Sequence, residues 1–277
     1  MLNRVMAKPS RWIQWCLRCA LVAAALSAVQ LWSQSPASTS SVPAQPGPDS
    51  DDPAKLHAEI DSYKAKLGDF AELSRYRIEN AELPAAAANE RRVVMFGDSI
   101  TDDWRRSPKN FFPGKPYVNR GIKGQTTAQM LVRFRADVID LKPAVVVILA
   151  GTNDIANRKG RAGVLEAVEN NLTSMDQLAR ANGIKVVLAT LLPVCGAQLA
   201  KRSPDDILQL NQWIAGYAKG HNIQLLDYYP AMLDSKTGQL RESISHDCLH
   251  PNVEGYDIMQ PMVERAIASA LGPSTAR

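Results

Sequence analysis

From residue 92 onward, short apolar runs alternate with longer stretches in which apolar positions recur every three or four residues. The short runs are 92–96, 117–119, 144–149, 185–190 and 223–227, the second being the weakest. The stretches between and after them, 127–141, 163–181, 204–219 and 252–271, have the period of helices. Val145-Val146-Val147-Ile148-Leu149 is apolar at every position, as expected of a strand covered on both faces. Strands that alternate with helices predict an α/β fold: a central parallel sheet between two helical layers, a three-layer α/β/α sandwich. Ligands in such sheets bind beyond the carboxyl ends of the strands. No repeat with a period of 20–50 residues is present.

The N-terminal part is organised differently. Residues 53–83 carry Leu56, Ile60, Tyr63, Leu67, Phe70, Leu73 and Tyr76 at helical spacing, and Pro84 ends the segment. This predicts an amphipathic helical segment, 54–83, that packs on the domain, with a partner-binding helix as the alternative. Residues 33–53 are rich in Ser, Pro, Ala and Gly and read as a disordered linker. Residues 1–32 pair a basic start with an apolar stretch, 19–32, that is short for a membrane span of about 20 residues but suits a signal peptide. Cleavage after Ala28 or Ala37 is expected; the alternatives are an uncleaved N-terminal anchor and a buried helix. Neither leader cysteine sits in a convincing lipidation context. The core-bearing domain is thus expected over 54–272.

Charge narrows the partners. The formal net charge is +4. However, the first 37 residues hold Arg4, Lys8, Arg11 and Arg18 and no acid; without these four the 32 basic residues fall to 28, equal to the acidic ones. The basic balance belongs to the leader and gives no support for nucleic-acid binding.

Several polar residues fall at the carboxyl ends of the apolar runs. Gly97-Asp98-Ser99 follows the first, Gly121-Ile122-Lys123-Gly124 the second and Gly151-Thr152-Asn153-Asp154 the third. Asp247-Cys248-Leu249-His250 lies just before the last helical stretch. A serine hydroxyl becomes a nucleophile only when a base takes its proton. Of His57, His221, His246 and His250, the last is the preferred base, with His246 as its rival. Asp247 lies three residues before His250, on the same side of one turn, where it can hold the imidazole tautomer. Backbone N–H groups of Ser99 and Gly124 and the amide of Asn153 are candidate donors to a developing oxyanion. Taken singly, the glycines read as turn residues, Asn153 as a loop cap and Asp247 as a turn or cap residue.

These four blocks, in this order over roughly residues 91–271, resemble the SGNH, or GDSL, hydrolases, and within them the bacterial branch similar to platelet-activating-factor acetylhydrolase subunits. The resemblance implies a flavodoxin-like fold and a serine esterase without metal or cofactor. It implies Ser99 as nucleophile, His250 as base and Asp247 as its orienting partner, with Ser99, Gly124 and Asn153 as the oxyanion hole. Cys248 departs from the family pattern, in which small or polar residues are more usual. The expected activity is removal of short acyl groups, chiefly acetyl, from oxygen esters of glycans or lipids outside the cytoplasm. The alternatives are a lysophospholipase or thioesterase of the same family, a non-catalytic carbohydrate- or lipid-binding protein on this scaffold, and an anchored interaction protein that uses 53–83 as a partner helix. Trp104, Arg105 and Arg106 are candidates to line the site, a solvated helix face being the competing reading for the arginines.

Other chemistries fit less well. Ser99 is not in G-x-S-x-G, and Gly124-Gln125-Thr126 lacks a phosphate-loop lysine. His246, Asp247, Cys248 and His250 do not have the spacing of a zinc site. Cys195, after the fourth run, and Cys248 are both expected at the carboxyl edge. They are either two buried free thiols or a disulfide that pins the loop carrying Asp247 and His250.

Overall fold

A computed structural model describes residues 53–87, 90–105, 111–157 and 162–272. The leader 1–32, the linker 33–53 except for its last residue, and Arg106 lie outside the described residues. Five strands form one parallel sheet: β1 (Val93–Gly97), β2 (Tyr117–Gly121), β3 (Val145–Leu149), β4 (Lys185–Ala189) and β5 (Gln224–Leu226), in the order β2-β1-β3-β4-β5. All five residues of β1 and of β3 are buried, which explains their unbroken apolar runs. Each run read from the sequence coincides with a strand to within three residues at either end.

Helices cover both faces. Parallel crossovers are right-handed, so the connection from β1 to β2 runs on one face. Those that step the other way along the sheet run on the opposite face. The first face carries α3 (Ser99–Trp104) and the C-terminal α9 (Val253–Leu271); Trp104 stacks on Tyr256 with ring centroids 5.0 Å apart. The second carries α4 (Thr127–Asp137), α6 (Val164–Ala181) and α7 (Pro204–His221), which neighbour one another in that order. The expected α/β sandwich is therefore present. The strand order reverses direction between β1 and β3, and such switch points open a crevice at the carboxyl edge. There the short α5 (Thr152–Ala156) follows β3. A short α8 (Tyr229–Met232) and a two-stranded hairpin, β6 (Leu233–Asp234) with β7 (Gln239–Leu240), follow β5.

The N-terminal segment differs from the single packed helix expected for 54–83. It forms α1 (Pro53–Gly68) and α2 (Arg77–Glu82), separated by a turn. The Asp69 carboxylate causes the break by accepting from Leu73 N–H, Ser74 N–H and the Ser74 hydroxyl, a local alternative to continuing the helix. Leu56, Ile60, Tyr63, Leu67, Phe70 and Leu73 are exposed, whereas Tyr76 is fully buried. Helical spacing thus marked a face whose large apolar side chains are exposed, except at its last position. Tyr76 donates its hydroxyl hydrogen to Gly121 O. Its ring lies under the guanidinium groups of Arg75, Arg120 and Arg105, at 4.7, 4.6 and 5.7 Å. Among the described residues no helix is long and apolar enough to cross a membrane.

Candidate active site

β1 ends at Gly97, paired with Gly121 of β2 on one side and Leu149 of β3 on the other. The three loops that follow therefore leave the sheet at one level. The chain turns from Gly97 into α3, whose N-cap is Asp98; its carboxylate accepts from Ile100 N–H at 3.0 Å. This turn needs close backbone packing. A Cβ on Gly121 would lie 2.2 Å from Asp102 N, so only glycine lets β2 pass beside the first turn of α3. Asn119 joins the same two elements: its amide donates to Thr101 O at 2.6 Å, and its oxygen accepts from Gly121 N–H at 2.9 Å. Tyr256 O–H holds Ile100 O at 2.8 Å. Ser99, at the start of α3, is 6 % exposed.

The three residues singled out for nucleophilic chemistry come together. Ser99 Oγ lies 2.9 Å from His250 Nε2, and His250 Nδ1 lies 2.8 Å from Asp247 Oδ2. Asp247 Oδ1 accepts from the backbone N–H groups of His250 at 2.8 Å and Leu249 at 3.2 Å. The turn 247–250 therefore closes on the carboxylate itself. Burial raises the pKa of Asp247, but the hydrogen bonds from His250 N–H, its imidazole and Leu249 outweigh it, and the net value lies below the usual carboxylate range. An imidazole between a hydroxyl and an ionised carboxylate can accept the hydroxyl proton while the carboxylate stabilises the cation formed.

The loop has further supports. His246 N–H donates to His250 O at 3.0 Å, and Ser245 Oγ to the same oxygen at 2.9 Å. Asn252 caps α9 by accepting from Gly255 N–H at 3.0 Å. Cys195 and Cys248 form a disulfide with Cα atoms 4.8 Å apart, and Cys195 N–H donates to Cys248 O at 3.2 Å. Of the two states open from the sequence, this is the bonded one. Glu242 lies beside both sulfurs, but a disulfide offers no thiolate to a metal. The bond joins positions 53 apart. Its removal is expected to cost about 2–4 kcal/mol, as is usual when a loop of this order is released. For a domain of this size that lowers the melting temperature by about 5–15 °C. Thermal melts with and without dithiothreitol check this, and coincident melts contradict it.

Gly124 has φ +76°, a left-handed conformation that suits glycine. It lies in the loop between β2 and α4, and a Cβ built on it meets nothing within 4 Å. Asn153, in α5, is 8 % exposed. Its Nδ2 donates to Gln125 O at 3.0 Å and reaches towards Asp98 Oδ2 at 3.5 Å; its Oδ1 accepts from Arg202 at 3.3 Å. Asp98 is buried and its pKa is pushed up to about 6 by desolvation. The Ile100 N–H bond and the neighbouring His250 and Arg202 charges work against that rise, and Asp154 adds to it.

Two buried arginines that bond to this arrangement carry no signal in the sequence pattern. Arg133 of α4 is fully buried beneath the loops; it donates to Gly97 O at 2.9 Å, Arg120 O at 2.9 Å and Asp137 at 3.1 Å, and also to Gln125 Oε1. Its guanidinium lies 4.2 Å from the Phe96 ring centroid. Arg202, also buried, reaches Asn153 from the loop before α7. In contrast, Trp104 and Arg105 do not line the site. Trp104 is 4 % exposed within a cluster of Phe111, Phe112 and Tyr256. Arg105 pairs with Asp102 and lies over Tyr76. Of the other histidines, His221 stacks on Tyr217 at a helix end.

Residues 95–258 match the model of the GDSL-like Lipase/Acylhydrolase family. The chain belongs to that family. A GDSL-like lipase from Bacteroides thetaiotaomicron VPI-5482 has a similar structure, with 42% identity and a TM-score of 0.68; the likeness covers 73% of this chain and 99% of that one. The uncharacterized lipoprotein YqeF of Bacillus subtilis (strain 168) is 36% identical over 118 residues, 37% of this chain and 49% of that protein. The GDSL chain thus spans about half the length of this relative. An acetylxylan esterase of Geobacillus stearothermophilus is 24% identical over 199 residues, covering 61% of this chain and 90% of that enzyme.

Proposed function

We propose that this GDSL protein is an exported serine esterase that removes short acyl groups, chiefly acetyl, from oxygen esters. The observation that carries the reading is the continuous contact from Ser99 Oγ through His250 to Asp247, at 2.9 and 2.8 Å. In the proposed reaction His250 Nε2 takes the Ser99 proton as Oγ attacks the ester carbonyl. The tetrahedral oxyanion is held by the N–H groups of Ser99 and Gly124 and by the Asn153 amide. His250 then gives its proton to the leaving alcohol, and an acyl-enzyme remains. Water, deprotonated by the same imidazole, attacks the acyl carbon; Ser99 leaves with the proton and the acid is released. Asp247 keeps the imidazole in the tautomer that presents Nε2 to Ser99.

The preference for acetyl on a glycan is supported by the likeness to an acetylxylan esterase. Export is supported by three independent features: the basic-then-apolar leader 1–32 followed by the polar linker 33–53, the disulfide and the likeness to a lipoprotein. A signal peptide removed after export and a tether to the membrane through the leader are both compatible with these. The expected substrates are small acylated molecules, with no nucleic acid.

Purified protein assayed on p-nitrophenyl esters with acyl chains of two to sixteen carbons, and on acetylated xylo-oligosaccharides, tests the proposal. kcat/KM should be greatest at two carbons and fall steadily beyond four. A maximum at twelve to sixteen carbons would replace it with a lysophospholipase or thioesterase. Binding of the oligosaccharides without turnover of any ester would replace it with a non-catalytic binding protein.

A further inference from the structure

We propose that Arg202, acting with Gln198, is a positioning residue that fixes the Asn153 amide as an oxyanion donor and links it to the loop carrying Asp247 and His250. The proposal rests on the roles assigned above to those three residues. Arg202 is 6 % exposed, and a buried guanidinium is costly unless its N–H groups are paired. They are paired in three directions. Nε donates to Thr152 O at 3.2 Å and Thr152 Oγ1 at 3.0 Å; one terminal nitrogen donates to Gln198 Oε1 at 2.6 Å, and the other to Asn153 Oδ1 at 3.3 Å. Only a planar fork reaches all of these at once.

The contact with Asn153 decides which end of the amide faces which neighbour. The two ends of an asparagine amide are almost the same size, so shape alone selects neither. An oxyanion donor must present nitrogen, because the carbonyl end would repel the developing charge. Here Oδ1 faces the Arg202 donor, and Nδ2 faces the Gln125 carbonyl at 3.0 Å. Flipping the amide would set its NH2 against a guanidinium that can only donate, and its oxygen against a carbonyl that can only accept. Two hydrogen bonds, one of them charge-assisted, would become two repulsive contacts. Arg202 and Gln125 O together therefore lock the amide.

Gln198 extends the connection to the other half of the site. It accepts from Arg202 through Oε1 and donates through Nε2 to Asp247 O at 3.3 Å. Gln198 lies in a short 3-10 helix, Gly196–Ala200, directly after Cys195, and Cys195 is bonded to Cys248 between Asp247 and His250. A polar relay and a covalent bond thus run in parallel from one segment, 195–202, to the base-bearing loop. The relay alone continues to Asn153.

A double-mutant cycle tests this on the full chain, with p-nitrophenyl acetate as substrate. Arg202→Met, Asn153→Ala and the double variant are compared for kcat and KM, with melting temperatures measured alongside. Loss of one oxyanion donor lowers kcat by roughly 10²–10³-fold, so Arg202→Met should lower it by about tenfold to a hundredfold. KM should stay within about twofold, because the interaction is realised in the transition state. The double variant should be no slower than Asn153→Ala alone, because Arg202 acts through that amide. Effects that multiply, a kcat unchanged in Arg202→Met, or a change in KM alone would each overturn the proposal. If Arg202→Met does not fold, Arg202→Lys keeps the charge and loses the fork; the same cycle applies, with the same expected and contrary results. Ser99→Ala and Asn153→Ala test the assigned roles independently of Arg202. Full activity in both would defeat the assigned roles, whereas impaired single variants with multiplicative Arg202 effects would defeat only this inference.

Discussion

Ser99→Ala is expected to lower kcat for p-nitrophenyl acetate by roughly 10⁶-fold, the scale seen when a serine hydrolase loses its nucleophile. The alanine removes the atom to which the acyl group transfers, so the two-step route through an acyl-enzyme is closed. What remains is attack by water on an ester held against the oxyanion donors, a residual of about 10³–10⁴ over the uncatalysed rate. Stability should change little. Ser99 Oγ has His250 as its partner, while the turn is held by the Asp98 carboxylate and the Tyr256 hydroxyl. Steady-state kinetics with a circular-dichroism melt checks both statements; a variant within tenfold of the parent rate would refute the nucleophile.

The base and its carboxylate should separate in magnitude. His250→Ala is expected to be nearly as damaging as loss of the nucleophile, because residues that act as a unit fail together. Asp247→Asn should cost less. A buried triad aspartate is worth about 10⁴ in kcat, but the Asp247 side chain is 46% exposed and that of His250 25%. Water can therefore share in stabilising the imidazolium, and a loss of about 10²–10³ is expected, below that value for solvent screening. The Asn variant keeps one oxygen to accept from His250 N–H but presents an amide to Nδ1, which favours the wrong tautomer. The measured quantities are kcat for both variants and the pH dependence of kcat/KM. Equal losses in the two would show that exposure does not weaken the carboxylate.

Much of this arrangement is legible in local sequence, and the rest fails for identifiable reasons. β1 and β3 are unbroken apolar runs because both faces of the sheet are covered. β2 is weak because Asn119 and Arg120 are buried polar residues, whose partners are the Thr101, Gly121 and Asn119 backbone and the Asn80 side chain. Asp247 and His250 are readable as a pair because three residues separate them. Ser99, Gly124 and Asn153 are readable as a group only through strand order, since each follows a different run; that placement makes them candidate oxyanion donors, and the family resemblance implies the same roles. Arg202 and Gln198 have no periodicity to report. They meet Asn153 and Asp247 through a loop whose path depends on the disulfide and on α5. The expectation of one packed helix over 54–83 failed because Asp69 offers the backbone a competing set of acceptors, which spacing does not record.

The same N-terminal turn has a function in the fold that composition could not suggest. Gln125 Nε2 donates to Ala71 O at 2.9 Å, and Tyr76 holds Gly121 O. Residues outside the matched family segment, 95–258, thus fasten both ends of the loop that contains Gly124.

If Ser99 carries the acyl group during turnover, the acylated serine can be trapped. Purified protein is mixed with p-nitrophenyl acetate, quenched in acid within milliseconds and examined by intact-mass and peptide mass spectrometry. One added acetyl group is expected on the peptide containing Ser99, formed at the rate of the p-nitrophenol burst and absent in Ser99→Ala. Turnover at the parent rate with acetyl on another residue, or with a burst that persists in Ser99→Ala, would contradict it.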